Sequence, residues 1–194
     1  MAIKAYPLNN VDYTAEDAML LTLPVSSGVY AEGEQFPITL TGGLSFEIGV
    51  GLAYIKYDTA KGFTVYSNEP LVFTLGAADS TLSRIDRVVV QWSQATNSVN
   101  VVVKKGTPSS TPTAPERSMT SSLYELVLFD IKVSPATTEL TSSMVTSQGE
   151  NEELCGYMAN AITKLHLGKI SAEITEEVKT YVDEQIGNAL EASY

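Results

Sequence analysis

The chain has 194 residues with 12 basic and 23 acidic side chains, a formal charge of −11, and 44% hydrophobic residues. That is enough apolar material to bury a proper core and argues against disorder, and no stretch approaches the roughly 20 apolar residues of a membrane span. The negative balance with no basic patch excludes a nucleic-acid partner, and one cysteine, Cys155, excludes an internal disulfide or a thiolate zinc site.

Residues 1–13 read as an extended lead-in with turn chemistry at Tyr6-Pro7 and Asn9-Asn10. They lack a signal-peptide core, so synthesis in a cytoplasm without export by the usual route is expected. Thr14 followed by Asp17 forms an imperfect capping box, which predicts a short helix over Ala15–Leu23 with Ala18, Met19 and Leu21 facing inward. Pro24 stops it.

Short strands follow. Phe36, Ile38 and Leu40 alternate with polar residues up to the Gly42-Gly43 turn. Leu44 to Val50, Leu52 to Lys56, Phe63 to Tyr66 and Pro70 to Leu75 repeat the pattern. Turn signals recur at the cadence of a sandwich or barrel rather than of βαβ units. The glycine pairs are hairpin turns, because no GK[ST] and no helix follows them.

The clearest hairpin is Arg84–Gly106. Val88, Val90 and Trp92 share one face, and Val99, Val101 and Val103 share another. An even-length loop keeps these faces together and is expected to set Val90 and Trp92 opposite Val103 and Val101. Residues 107–117 hold three prolines and no apolar period, which predicts an exposed loop or an edge segment. Leu123–Val133 is apolar on both faces and reads as a central strand ended by Pro135.

Residues 136–152 are Thr-, Ser- and Glu-rich and mark a boundary, with a β-domain over 1–146 and a helical segment over 147–194. Leu154, Met158, Ile162 and Leu165 are spaced as on a helix that stops at Gly168. A second helix, about Ser171 to Glu191, carries a narrow apolar line: Ile170, Ile174, Val178, Tyr181 and Ile186. A narrow stripe on a polar helix suits a coiled-coil seam and marks these five residues as a candidate oligomer interface. The competing reading lays the helix along its own β-domain. Residues 150–194 hold nine acids and three bases, so −6 of the −11 lies there.

Several motifs resemble a recurrent module of tail and baseplate proteins of siphophages and prophages of Gram-positive hosts, of the kind found at the start of baseplate upper proteins. They are Arg84-Ile85-Asp86-Arg87-Val88-Val89, Val101-Val102-Val103 with Gly106-Thr107-Pro108, Pro112, Ala114-Pro115, Tyr124-Glu125-Leu126 with Val133, and Glu153-Leu154-Cys155-Gly156. Upstream, Tyr13–Asp17, Gly28-Val29-Tyr30 and Gly49–Tyr54 are similar to the family's opening helix and next hairpin, so the likeness covers most of residues 10–157. The family's Asp-x-Arg before the last motif is replaced here by Ser147-Gln148-Gly149. From the residues no enzymatic activity and no cofactor is expected, because no nucleophile–base–orienter set can be assembled. The resemblance implies a virion structural component. Its β-part would dock onto other tail or baseplate proteins. Its helix would trimerise to support a receptor-binding part, so contact with a host-surface glycan would be indirect.

From the residues alone the fold class is mainly β: an antiparallel sandwich or jelly-roll-like domain followed by a coiled-coil-like helical segment. Arg84, Asp86 and Arg87 read either as a local ion pair at a sheet rim or as docking contacts, with Arg84 and Arg87 the candidates. Trp92 with Tyr54, Tyr57 and Tyr66 forms a candidate sugar-stacking platform; Trp92 belongs to the valine face, which leaves Tyr57 and Tyr66 as ligand contacts and carbohydrate binding as the alternative function. The acidic pairs Glu176-Glu177 and Asp183-Glu184 lack calcium-loop spacing, so no metal is expected. Cys155 and the single histidine, His166, would lie roughly 16 Å apart on one helix, too far for a nucleophile and its base.

Overall fold

The computed structural model describes residues 14–19, 22, 25–59, 61–159, 175, 176 and 178–181. The chain divides into two compact units, Met1–Met158 and Ala159–Tyr194.

The first unit is mainly β, as the alternating runs predict. It opens with α1 (Ala15–Met19). The capping box closes both ways: Asp17 N–H donates to Thr14 Oγ1 at 3.2 Å, while Thr14 N–H and hydroxyl donate to the Asp17 carboxylate at 3.0 and 2.9 Å. Of the rest of the expected helix only Thr22 is described, and its hydroxyl donates to the Met19 carbonyl at 3.1 Å. Ala18 is exposed rather than inward, Met19 is half-buried, and Leu21 lies outside the described residues.

Ten strands follow. They are β1 (Gly28–Val29), β2 (Ile38–Gly42), β3 (Ser45–Ile48), β4 (Gly51–Asp58), β5 (Lys61–Ser67), β6 (Leu71–Thr74), β7 (Arg84–Ser93), β8 (Ser98–Lys104), β9 (Leu123–Val133) and β10 (Val145–Ser147). Among the described residues they form three antiparallel sheets, ordered β1-β4-β5, β2-β3-β6 and β10-β9-β7-β8. Each sheet is built on one tight hairpin, β4–β5, β2–β3 or β7–β8, and is completed by strands from elsewhere in the chain. All three contribute to one core, with Phe46 and Ile48 from β3, Ala53 and Ile55 from β4, and Val88, Val90 and Leu126 from the largest sheet, all fully buried.

The β7–β8 hairpin has the expected even-length loop, but its pairs sit two residues from the expected ones. Val90 faces Val101 and Trp92 faces Val99. The loop is Gln94–Asn97, closed by Asn97 N–H donating to the Gln94 carbonyl at 3.2 Å, with Asn97 at φ 45°. Asparagine tolerates that left-handed conformation, so the turn closes before Ser98 and the valine face is kept.

β9 is central, between β10 and β7, as its two apolar faces predict. Its register with β7 shifts by one residue between Val88 and Val89, whose partners are Phe129 and Val127. Leu128 is the extra residue. Asp130 would share a face with Leu126 in a regular strand; the bulge carries it to the opposite face.

The first unit runs on to Met158, past the expected boundary at 146. Residues 154–158 are not helical. Val29 N–H donates to the Gly156 carbonyl at 2.9 Å, Met158 N–H to the Val29 carbonyl at 2.8 Å and Val127 N–H to the Leu154 carbonyl at 3.0 Å. This segment therefore lies parallel to β1 while also reaching β9. Close approach needs both glycines: a Cβ on Gly28 would come within 2.5 Å of the Gly156 carbonyl oxygen, and Gly156 itself sits at φ +76°.

In the second unit Thr175, Glu176 and 178–181 are helical. The expected helix over Ile162–Leu165 and most of the one over 171–191 lie outside the described residues.

Candidate functional site

The charged residues of β7 go to two different faces. Arg84 and Asp86 point to the core side, and Arg87 and Gln91 to the other. Arg84, 1% exposed, donates through Nε to both oxygens of Asp86 at 3.0 Å, and through its terminal nitrogens to the carbonyls of Gly76 and Ala77. Asp86 also accepts the Gly106 N–H at 2.8 Å. One buried ion pair thus ties the segment before β7 and the end of β8 to the same point.

On the opposite face Arg87 makes a two-pronged contact with Asp130 at 2.7 and 2.8 Å and donates to the Pro115 carbonyl at 2.8 Å. Glu125, fully buried, accepts from Gln91 at 2.7 Å, from Lys104 at 2.8 Å and from Ser118 N–H at 2.7 Å. Lys104 also holds the Glu116 carbonyl, and Arg117 donates to the Leu154 carbonyl at 2.9 Å. Residues 107–118 therefore form a strap laid over this sheet face rather than a free loop. Its prolines supply no N–H, side chains from β7 and β8 donate to its Pro115 and Glu116 carbonyls, and the Glu125 carboxylate of β9 accepts its Ser118 N–H. No buried side-chain polar atom lacks a partner among the described residues.

This corrects the expectation for Arg84 and Arg87. They form ion pairs, but not at an exposed rim, and both guanidiniums are engaged inside the first unit rather than presented for docking. Sequence reasoning missed Glu125, Asp130 and Gln148, whose side-chain amide donates to Asp130 at 3.0 Å. The available signal was a carboxylate in a strand apolar on both faces, which needs a buried partner.

The aromatic candidates also separate. Tyr54 is buried, its hydroxyl 2.9 Å from that of Thr22. Trp92 is buried as its valine face predicts, and half-buried Tyr57 stacks on it with ring centroids 4.1 Å apart. Tyr66 alone stands out, 71% exposed. No four-residue platform exists.

Tyr66 lines an open groove of about 650 Å³. β5, β6 and β8 border it, and each is the outermost strand of its own sheet. Val90 of β7 and Phe36, both buried, also line it.

Cys155 is buried, and burial pushes its thiol up to about 11. It is not on a helix, and His166 lies outside the described residues. Of the seam residues, Val178 and Tyr181 are helical and 56% and 64% exposed; Ile170, Ile174 and Ile186 lie outside the described residues. Glu176 is exposed, and no cluster of metal-binding side chains occurs among the described residues.

The fold and these pairs define a mainly β protein whose largest sheet is strapped on one face by buried charge. No family model, curated protein or solved structure matches the chain.

Proposed function

We propose that the chain is a structural component of a bacteriophage or prophage tail tip or baseplate, with the β-unit as a platform and the C-terminal helical segment as a trimerising element. One observation carries this reading. Arg84, Asp86, Arg87, Gly106, Pro115, Glu125 and Leu154–Gly156, the residues that carry the resemblance, are those that lock the strap and the chain's exit into one unit. Motifs used up in this way suit a rigid part better than an enzyme, because no nucleophile–base pair remains among them. Exposed Val178 and Tyr181, three residues apart on a helix, suit a seam that copies of the chain would close. The test is the mass in solution by light scattering at micromolar concentration. Three times 20.9 kDa is expected, and a monomer with its helix intact overturns the trimer.

A second reading, carbohydrate binding, is favoured by the exposure of Tyr66 at the groove. A glycan array on which the protein gives no signal removes it.

A further inference from the structure

We infer that the groove bordered by β5, β6 and β8 takes an extended, basic peptide segment of a partner protein that adds to one of these sheet edges as a further strand. The inference names the docking site for the tail-protein reading and rests on it.

The lining shows what kind of surface this is. A sheet face presents every second residue, because side chains alternate. Here runs of consecutive residues line the groove: Thr64 to Glu69, Leu71 to Phe73, and Val99 to Val101. Consecutive lining means that strand edges, backbone included, border the space. Each of the three strands has a neighbour on one side only. Among the described residues, 63–73 and 99–103 make no backbone-to-backbone hydrogen bond beyond those to that neighbour.

Proteins blunt a free edge with charge, proline, a bulge or a short strand, because unpaired N–H and C=O groups template another strand. Here such features sit at the strand ends: Lys61 opens β5, Pro70 precedes the four-residue β6 and Lys104 ends β8. The residues of β5, β6 and β8 that line the groove include no charged side chain and no proline, and Val72 is 67% exposed. Three edges meeting at one groove with buried apolar residues below match the way extended peptides are recognised: backbone pairing for affinity, pockets for alternate side chains.

Charge selects the segment. Glu69 is the only ionisable carboxylate or base in the lining, and residues 1–149 carry −5 of the chain's −11. An acidic segment is repelled, and one with Lys or Arg beside its apolar residues is favoured. Among the described residues the side chains of Tyr66, Asn68 and Glu69 have no hydrogen-bond partner, so they are available to such a segment.

The full chain is panned against a display library of short random peptides, and the enriched sequences are made synthetically. Enriched peptides should alternate apolar and polar residues, carry Lys or Arg and lack Asp and Glu. Bound peptide should slow hydrogen exchange in β5, β6 or β8. Glu69→Lys, Val72→Lys, or N-methylation of alternate peptide amides should each weaken binding about tenfold or more. Glu69 and Val72 are exposed, so the variants keep the fold. Failure to enrich any peptide overturns the inference, as does binding indifferent to N-methylation or without protection at these edges. Binding of a neutral oligosaccharide that Tyr66→Ala abolishes, with no peptide bound, assigns the groove to a glycan and also overturns it. Dimers lost in Val72→Lys would mean that a second copy fills the groove. The trimer mass is measured separately, so its failure is distinguishable from failure at the groove.

Discussion

Arg87 and Asp130 stand directly opposite each other across β7 and β9, and a single extra residue, Leu128, puts them there. Without the bulge the carboxylate would point into the apolar core while the guanidinium stayed beneath the strap. The strand's irregularity and the ion pair are therefore one feature. A buried pair is weak evidence of net stability, because desolvation offsets the attraction, but breaking it strands a charge. It fixes which face Asp130 takes and hence the register of β9 on β7.

Asp130→Ala should cost about 3–5 kcal/mol, because Arg87 is left charged and buried. Replacing both partners, Arg87→Met with Asp130→Leu, should cost clearly less. Urea unfolding of the parent, the singles and the double measures the coupling. Purely additive losses would mean that the two side chains act independently.

Gly106 tests the other anchor. Its amide is held by Asp86, and a Cβ there would run into the Ile85 carbonyl and its backbone. Backbone cannot step aside as a flexible side chain does. Gly106→Ala should therefore destabilise by on the order of 2–3 kcal/mol. Gly76→Ala is the control: the nearest atom to its Cβ is the Lys105 ammonium at 3.6 Å. Its effect should stay within about 0.5 kcal/mol. Similar losses in both variants would show that glycine entropy, not close approach, governs these sites.

Strand positions were legible because period-two patterning is local: β9 was readable end to end, and so was the parity of the β7–β8 loop. Its exact pairs were not, since they depend on Asn97 taking a left-handed conformation that other residues near the turn could also have hosted. The strap reads as an exposed loop or edge segment because nothing in TPSSTPTAPER shows that its carbonyls are acceptors for Arg87 and Lys104. Those donors lie distant in sequence and become visible only once β7, β8 and β9 are side by side. The segment at 154–158 failed for a related reason. Leu154 and Met158 have helical spacing, but pairing with Val29 outweighs local propensity. The three-sheet arrangement follows from which neighbours pair, which alternation alone does not fix.

Cys155 should behave as a packed residue rather than a reactive one. Burial holds its thiol protonated to about pH 11 instead of 9.0. Thiol-specific reagents at pH 8 should leave it untouched in the folded protein and label it promptly in denaturant. The raised value also fixes a sign. Between about pH 9 and 11 the unfolded chain gives up this proton while the folded chain keeps it, so stability is intact below that window and falls as pH rises through it. Cys155→Ala removes this slope, and comparing the two pH profiles isolates it from tyrosines and lysines. Rapid labelling of the folded protein at pH 8 would mean that the β1 side of the unit opens readily.

The proposed seam makes the sharpest demand on the second unit. Val178 and Tyr181 are exposed, apolar and one turn apart, and Ile174 precedes Val178 by four residues. Neighbours at that spacing share a helix face, and a carboxylate in such a seam has no partner to offset its desolvation. Ile174→Asp with Val178→Asp should reduce the mass from a multiple of 20.9 kDa to 20.9 kDa and leave the β-sheet circular dichroism unchanged. The first unit closes its own core through Met158, so losing the seam should not unfold it. If the variant keeps the parent's mass, the seam is not what joins the copies. If the β signal is lost as well, the β-unit depends on the helical segment, and the two-part architecture with an independent platform fails.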